Sequence, residues 1–192
     1  MPHESDPEPW QVERTEYLFR EPWLTVRRDS VRMSGGGAIP DYYVLEYPDW
    51  LNVLAVTRVG ELVLIRQYRH GIRAVHFELC AGGVEPGESP LQAARRELLE
   101  ETGFGGGDWQ PWMQLSANPS THSNRVHCFL ATGVERLQAP RTDATEEITV
   151  HVVSPEHARE IVFNGEMIQA LFLAPLLKYF AQPSQASRGD SR

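Results

Sequence analysis

Apolar and polar positions alternate in short runs along most of this 192-residue chain. The runs at 16–19, 24–31, 41–46, 51–58, 61–68, 75–79, 125–132 and 148–153 read as strands, because a period of two puts alternate side chains on one sheet face. The runs at 51–58 and 61–68 meet at Val59-Gly60, a hairpin signal. The last run, ITVHVV, is strongly β-branched. Two regions have helical spacing instead. The first spans 89–102: Ser89 is an N-cap, Pro90 takes the first helical position, Gln92 completes a capping box, and Gly103 is the C-terminal glycine. The second starts at Ser154-Pro155, breaks at Asn164-Gly165 and resumes toward Phe180, with Pro175 expected to kink or end it. Many strands, few helices and no βαβ rhythm predict an α+β layered sandwich.

Composition narrows the function. The chain is 41% hydrophobic and 23% charged, enough for one well-cored domain, taken as residues 10–181. Residues 1–9 and 182–192 are polar, proline-bearing and without period, and are expected to be disordered. A formal net charge of −8 argues against nucleic acid or an anionic membrane as partner. Ser34-Gly35-Gly36-Gly37 is a flexible loop and not a phosphate loop, because no Gly-Lys-Ser/Thr follows. Two distant cysteines, Cys80 and Cys128, exclude a disulfide scaffold and a cysteine zinc site. No N-terminal apolar segment reads as a signal peptide, and no apolar run nears the roughly 20 residues of a membrane span. A cytoplasmic location is the expectation.

The candidate chemistry lies in residues 81–104, AGGVEPGESPLQAARRELLEETGF. On a helix, Glu97, Glu100 and Glu101 share a face at i, i+3 and i+4. Three stacked carboxylates repel, and the helix dipole disfavours them in its C-terminal half. Something positive must compensate. Arg96 can pair with Glu100 at i+4. A hard divalent cation such as Mg²⁺ would neutralise the rest, since it takes carboxylate oxygens and is shared with substrate phosphates. The bland alternative is a solvated helix face. Gly82, Gly83 and Gly87 let a loop fold close to the helix.

The spacing decides between these. Gly82, five residues, Glu88, seven residues and then Arg96-Glu97-Leu98-Leu99-Glu100-Glu101-Thr102-Gly103-Phe104 resembles the full signature of the Nudix hydrolases, matching without a gap. Chance would produce that match at roughly one in 10⁸ or less for a chain this size. The resemblance implies an α/β/α sandwich with a mixed sheet and a loop–helix–loop signature. It implies Mg²⁺ (or Mn²⁺) on Glu97, Glu100 and Glu101, helped by the Ala81 carbonyl, with Arg96 orienting the carboxylates and Glu88 supporting the loop. It implies hydrolysis of a nucleoside diphosphate linked to another group.

Other residues are similar to the branch that cleaves ADP-ribose and nucleoside diphosphate sugars. They are Arg66-Gln67-Tyr68-Arg69, the stretch from Glu78 to Gly82, and Pro119 fifteen residues past Phe104. Cys80 replaces a proline common there, and the loop after Pro119 lacks a glycine pair and a glutamate. The resemblance makes Arg69, Glu78 and Pro119 substrate-binding candidates and Glu146 or Glu147, ahead of the last strand, the candidate general base. It also implies a homodimer through strands at about 10–47. Alternatives are hydrolysis of NADH, a dinucleoside polyphosphate or coenzyme A, or a non-catalytic nucleotide-sugar sensor. Sensors usually lose signature carboxylates, and here all are present. His122 and His127 read as structural or exposed histidines.

Overall fold

The structure, a computed structural model, describes residues 6–21, 23–141 and 147–182. Residues 6–9 are exposed and carry no regular structure. The other expected disordered positions, 1–5 and 183–192, lie outside the described residues. The chain forms two compact units, residues 1–48 with 116–124, and residues 49–115 with 125–192.

The first unit is an antiparallel sheet of β1 (Gln11–Glu21), β2 (Leu24–Arg32) and β3 (Ala38–Glu46), in that order. Cross-strand pairs join it. Glu16 stands opposite Arg28 and accepts from its Nη2 at 2.7 Å. Arg32 Nη2 meets Glu13 at 2.5 Å, and Thr15 Oγ1 donates to the buried Asp29 at 2.8 Å. Residues 116–124 fold onto β3: Leu45 N–H donates to the Thr121 carbonyl at 2.7 Å, and Ser123 N–H to the Leu45 carbonyl at 3.2 Å.

The second unit is built on an eight-stranded sheet. β11 (Ile148–Val153), β5 (Leu62–Arg69), β4 (Trp50–Thr57), β10 (Val126–Arg136) and β8 (Phe104–Gly105) follow one another. β6 (Ala74–Glu78) pairs with β5, β7 (Cys80–Gly83) with β4, and β9 (Asp108–Leu115) with β10. β4 and β10 run parallel and the other described pairs antiparallel, so the sheet is mixed. Alternation along the strands feeds two apolar layers. Leu51, Val53 and Ala55 face α1 (Pro90–Glu97), packing with Ala93, Ala94 and Leu98. Leu54 and Val56 face α2 (Pro155–Phe163) and α3 (Ala170–Phe180), packing with Ile161, Phe172 and Leu176. This is the expected α/β/α sandwich.

Three elements differ from the sequence reading. β7 was hidden by its glycines. β9 was hidden by Pro111, which the ladder tolerates because, among the described residues, β9 pairs on one side only and a register shift lies beside it. Pro175 neither ends nor breaks α3, which runs on to Phe180. A proline there cannot donate to the carbonyl of Leu171, one turn earlier. The buried Asn52 of β4 donates its Nδ2 to that carbonyl instead, at 3.0 Å. Trp112 Nε1 donates to the Pro175 carbonyl at 3.1 Å, fixing the same turn from β9.

Asn52 therefore substitutes for a helix hydrogen bond. Asn52→Ala should cost about 1–3 kcal/mol in urea unfolding, the penalty of a buried unsatisfied carbonyl. In a Pro175→Ala background, which restores the N–H, the same substitution should cost measurably less, giving a non-zero coupling in the double-mutant cycle.

Candidate active site

The site begins with a well-capped helix. Ser89 Oγ accepts from Gln92 N–H at 3.3 Å, and the Gln92 side chain accepts from Ser89 N–H at 2.9 Å, as the sequence predicts. The α-helix ends at Glu97, and Leu98–Thr102 continues as a single π-helical turn closed by Gly103 in the left-handed region, φ 74°. The sequence placed Glu97, Glu100 and Glu101 on one α-helical face. The turn that carries Glu100 and Glu101 is π-helical, and the three carboxylates differ in depth. Glu101 is only 4% exposed, and its Oε2 accepts from Ala81 N–H at 3.2 Å. Glu97 is largely covered, while 47% of the Glu100 side chain remains exposed. Such one-turn π insertions cluster at functional sites.

Arg96 gathers the acidic groups. Its Nε and Nη2 donate to the two Glu88 oxygens, each at 3.0 Å. Its Nη1 donates to Glu97 Oε1 at 2.9 Å and to Glu100 Oε2 at 3.2 Å. Nη2 also reaches the Gly83 carbonyl at 3.3 Å. One guanidinium thus ties the loop before the helix to the carboxylates at its end. The Glu88 hydrogen bonds hold the Arg96 proton more firmly than usual, and Arg96 in turn keeps the Glu88 carboxyl below the usual carboxylate range.

Two glycines are needed for close approach. A Cβ on Gly82 would lie 2.1 Å from Glu97 Oε1, so glycine lets β7 pass over that carboxylate without displacing it. A Cβ on Gly103 would lie 2.2 Å from the Gln138 carbonyl oxygen. There the chain after β10 returns to the helix end. Leu137 N–H donates to the Gly103 carbonyl at 2.8 Å, and Arg141 N–H to the Glu100 carbonyl at 2.7 Å. These bonds satisfy carbonyls that a helix end leaves open.

Arg69 and Glu78, singled out separately in the sequence, are brought together. Arg69 Nε and Nη2 form a fork on the Glu78 carboxylate at 2.8 and 2.5 Å. Glu78 is 1% exposed, whereas 45% of the Arg69 side chain faces solvent. Pro119 lies in the first unit, in the segment held on β3. Glu147 is exposed ahead of β11, and Glu146 lies outside the described residues. His122 packs on Tyr47 within the first unit. The Cys128 thiol is pushed up to about 11, chiefly by burial, and is no nucleophile.

Asp49 carries no local sequence signal. Its carboxylate accepts from Arg125 N–H at 2.8 Å and from His127 Nε2 at 2.9 Å, and its carbonyl accepts from Val84 N–H at 2.9 Å. It anchors the residue after Gly83, but its partners, Arg125 just ahead of β10 and His127 on it, are 76 and 78 positions away.

The groups that could hold a cation, Glu97, Glu100, Glu101 and the Ala81 carbonyl, all offer oxygen. That chemistry fits Mg²⁺. Among the described residues no three acidic, histidine or cysteine side chains converge on one point, because Arg96 draws Glu97 and Glu100 toward itself.

The NUDIX domain family matches residues 49–171, and the nucleoside diphosphate sugar hydrolase N-terminal domain matches residues 10–45. An ADP-ribose pyrophosphatase of Mycobacterium tuberculosis is 32% identical over 168 residues, covering 83% of this chain and 81% of that protein. An ADP-ribose pyrophosphatase of Bacillus subtilis is 32% identical over 128 residues, 66% of this chain and 69% of that one. A crystal structure of an ADP compounds hydrolase superposes with a TM-score of 0.80 at 23% identity, covering 92% of this chain and 95% of its own.

The lowered Glu88 carboxyl has a stability consequence. Its contribution is complete above the ordinary carboxylate range and is lost as pH falls through its lower folded value. Glu88→Gln should therefore lower the melting temperature at neutral pH and flatten its decline in acid, read by thermal melts across that range.

Proposed function

The chain belongs to the Nudix hydrolase family, and from that premise we propose that it cleaves the pyrophosphate bond of ADP-ribose or a related nucleoside diphosphate sugar, giving a nucleoside monophosphate and a sugar phosphate. One observation carries the reading. Arg96, pinned by Glu88, holds Glu97 and Glu100 beside Gly82 while Glu101 is buried against Ala81 N–H. The two relatives named ADP-ribose pyrophosphatases, and the match of residues 10–45 to a nucleoside diphosphate sugar hydrolase domain, support that substrate class.

Glu97, Glu100, Glu101 and the Ala81 carbonyl would hold Mg²⁺ or Mn²⁺. Bound there, the ion would polarise phosphoryl oxygens and acidify a water. The chain's own groups do the rest. Arg69, held on Glu78 until substrate arrives, offers its guanidinium to the diphosphate. A water oxygen forms a bond to one phosphorus, the bridging P–O bond breaks, and the water's proton passes to a carboxylate. Glu147 is the described candidate for that acceptor, with Glu146 beside it in sequence.

We also propose that the protein works as a homodimer through the first unit. Among the described residues β1 pairs on one side only, with β2, and it exposes Val12, Tyr17, Leu18 and Phe19. An open, apolar edge favours a second chain.

ADP-ribose, GDP-mannose, NADH and diadenosine tetraphosphate with Mg²⁺ form the substrate panel. ADP-ribose should yield AMP and ribose 5-phosphate, and no cleavage of any of the four removes the proposal. Glu101→Gln should lower kcat at least about 100-fold, since several kcal/mol of charge stabilisation is at stake and about 1.4 kcal/mol is tenfold. In light scattering the wild type should run as a dimer at micromolar concentration and Phe19→Glu as a monomer; a monomeric wild type overturns the dimer.

A further inference from the structure

A buried histidine shares the Glu78 carboxylate with Arg69. His76 on β6 is 7% exposed, and its Nε2 lies 3.6 Å from Glu78 Oε1, the oxygen that Arg69 Nε already occupies at 2.8 Å. The other ring nitrogen, Nδ1, lies 3.3 Å from the Phe77 carbonyl. Both ring nitrogens thus face oxygens that only accept, and the neutral ring, with one N–H, can point a proton at only one of them. The arrangement improves as soon as the ring gains a second N–H. Among the described residues the charged groups facing His76 are Glu78 on its own strand and Arg69 from β5. Gln67 stands opposite it in the ladder, and beyond the other edge of β6 Glu166 is joined through its backbone carbonyl to Phe77 N–H at 3.0 Å.

The charge count gives the strand a second state. With Arg69 on Glu78 the buried pair is neutral and a charged His76 would be in excess. When an anion draws Arg69 away, Glu78 is left as a buried, unbalanced carboxylate, which is strongly disfavoured. His76 is the described group within 4 Å of Glu78 that can then supply positive charge. We propose that His76 is a positioning residue for Arg69: its ring takes a proton from solvent as Arg69 turns from Glu78 to the substrate diphosphate, so that substrate binding and proton uptake are one step. This rests on the proposed binding of a diphosphate by Arg69.

The experiment is calorimetric titration of ADP-ribose into the full-length protein in EDTA. It uses two buffers of unlike ionisation enthalpy at about pH 8, above the ordinary imidazole range. The ADP-ribose diphosphate has no group titrating near neutrality, so proton exchange reports on the protein. The wild type should take up about one proton per ADP-ribose bound, and His76→Gln, which keeps a polar side chain but cannot gain a proton, should take up none. Glu78→Gln should also abolish uptake, because no buried charge then needs balancing. Zero uptake by the wild type overturns the proposal, as does unchanged uptake in His76→Gln or the absence of any binding by the wild type. Hydrolysis assayed separately in Mg²⁺ keeps the two readings apart. Turnover without proton uptake removes the role of His76 alone, and proton uptake without turnover removes the activity alone.

Discussion

The second unit depends on one guanidinium. Arg96 satisfies both oxygens of Glu88 and one each of Glu97 and Glu100, and it reaches the Gly83 carbonyl. Without that positive charge, like charges on the helix end would push apart and the loop before the helix would lose its tie to the turn that follows. Glu88 matters because it fixes Arg96 from the opposite side with a planar fork, which holds both position and orientation. The same clamp explains why the acidic groups do not already surround one point: part of their charge is spent on arginine.

Around the clamp, backbone approach replaces side-chain bulk. Gly82 lets a strand pass over Glu97, and Gly103 lets the segment after β10 close on the helix end. Both positions are ones where any side chain would meet an oxygen. The π-helical turn between them sinks Glu101 toward β7 while leaving Glu100 half exposed. Three acids adjacent in sequence therefore sit at three depths.

Most of this was readable from the chain. The strands follow alternation, the helix follows Ser89, Pro90 and Gln92, and the signature spacing identifies the clamp's members before any coordinates are known. What escaped the sequence has physical reasons. A π-helical turn has no residue pattern of its own, so Leu98–Thr102 read as α-helix. Pro175 read as a breaker, because the Asn52 amide that accommodates it lies elsewhere in the fold, and the strand that carries Pro111 went unread. Arg69 and Glu78 were both visible, but their pairing was not, since it depends on the β5–β6 register. Asp49 and His127 meet across 78 positions, and no local signal links them.

The parallel pairing of β4 with β10 carries a kinetic consequence. Trp50 stands beside Val126, and the whole signature helix lies on the crossover between them. Long-range parallel closure is slow relative to helix and hairpin formation. The hairpin of β4 and β5 and the capped helix can form early from neighbouring residues. The helix end, however, is completed only when the chain beyond β10 delivers Leu137 and Arg141 N–H groups to its carbonyls. Refolding should thus restore helical circular dichroism well before competence for chemistry, with a lag set by strand closure.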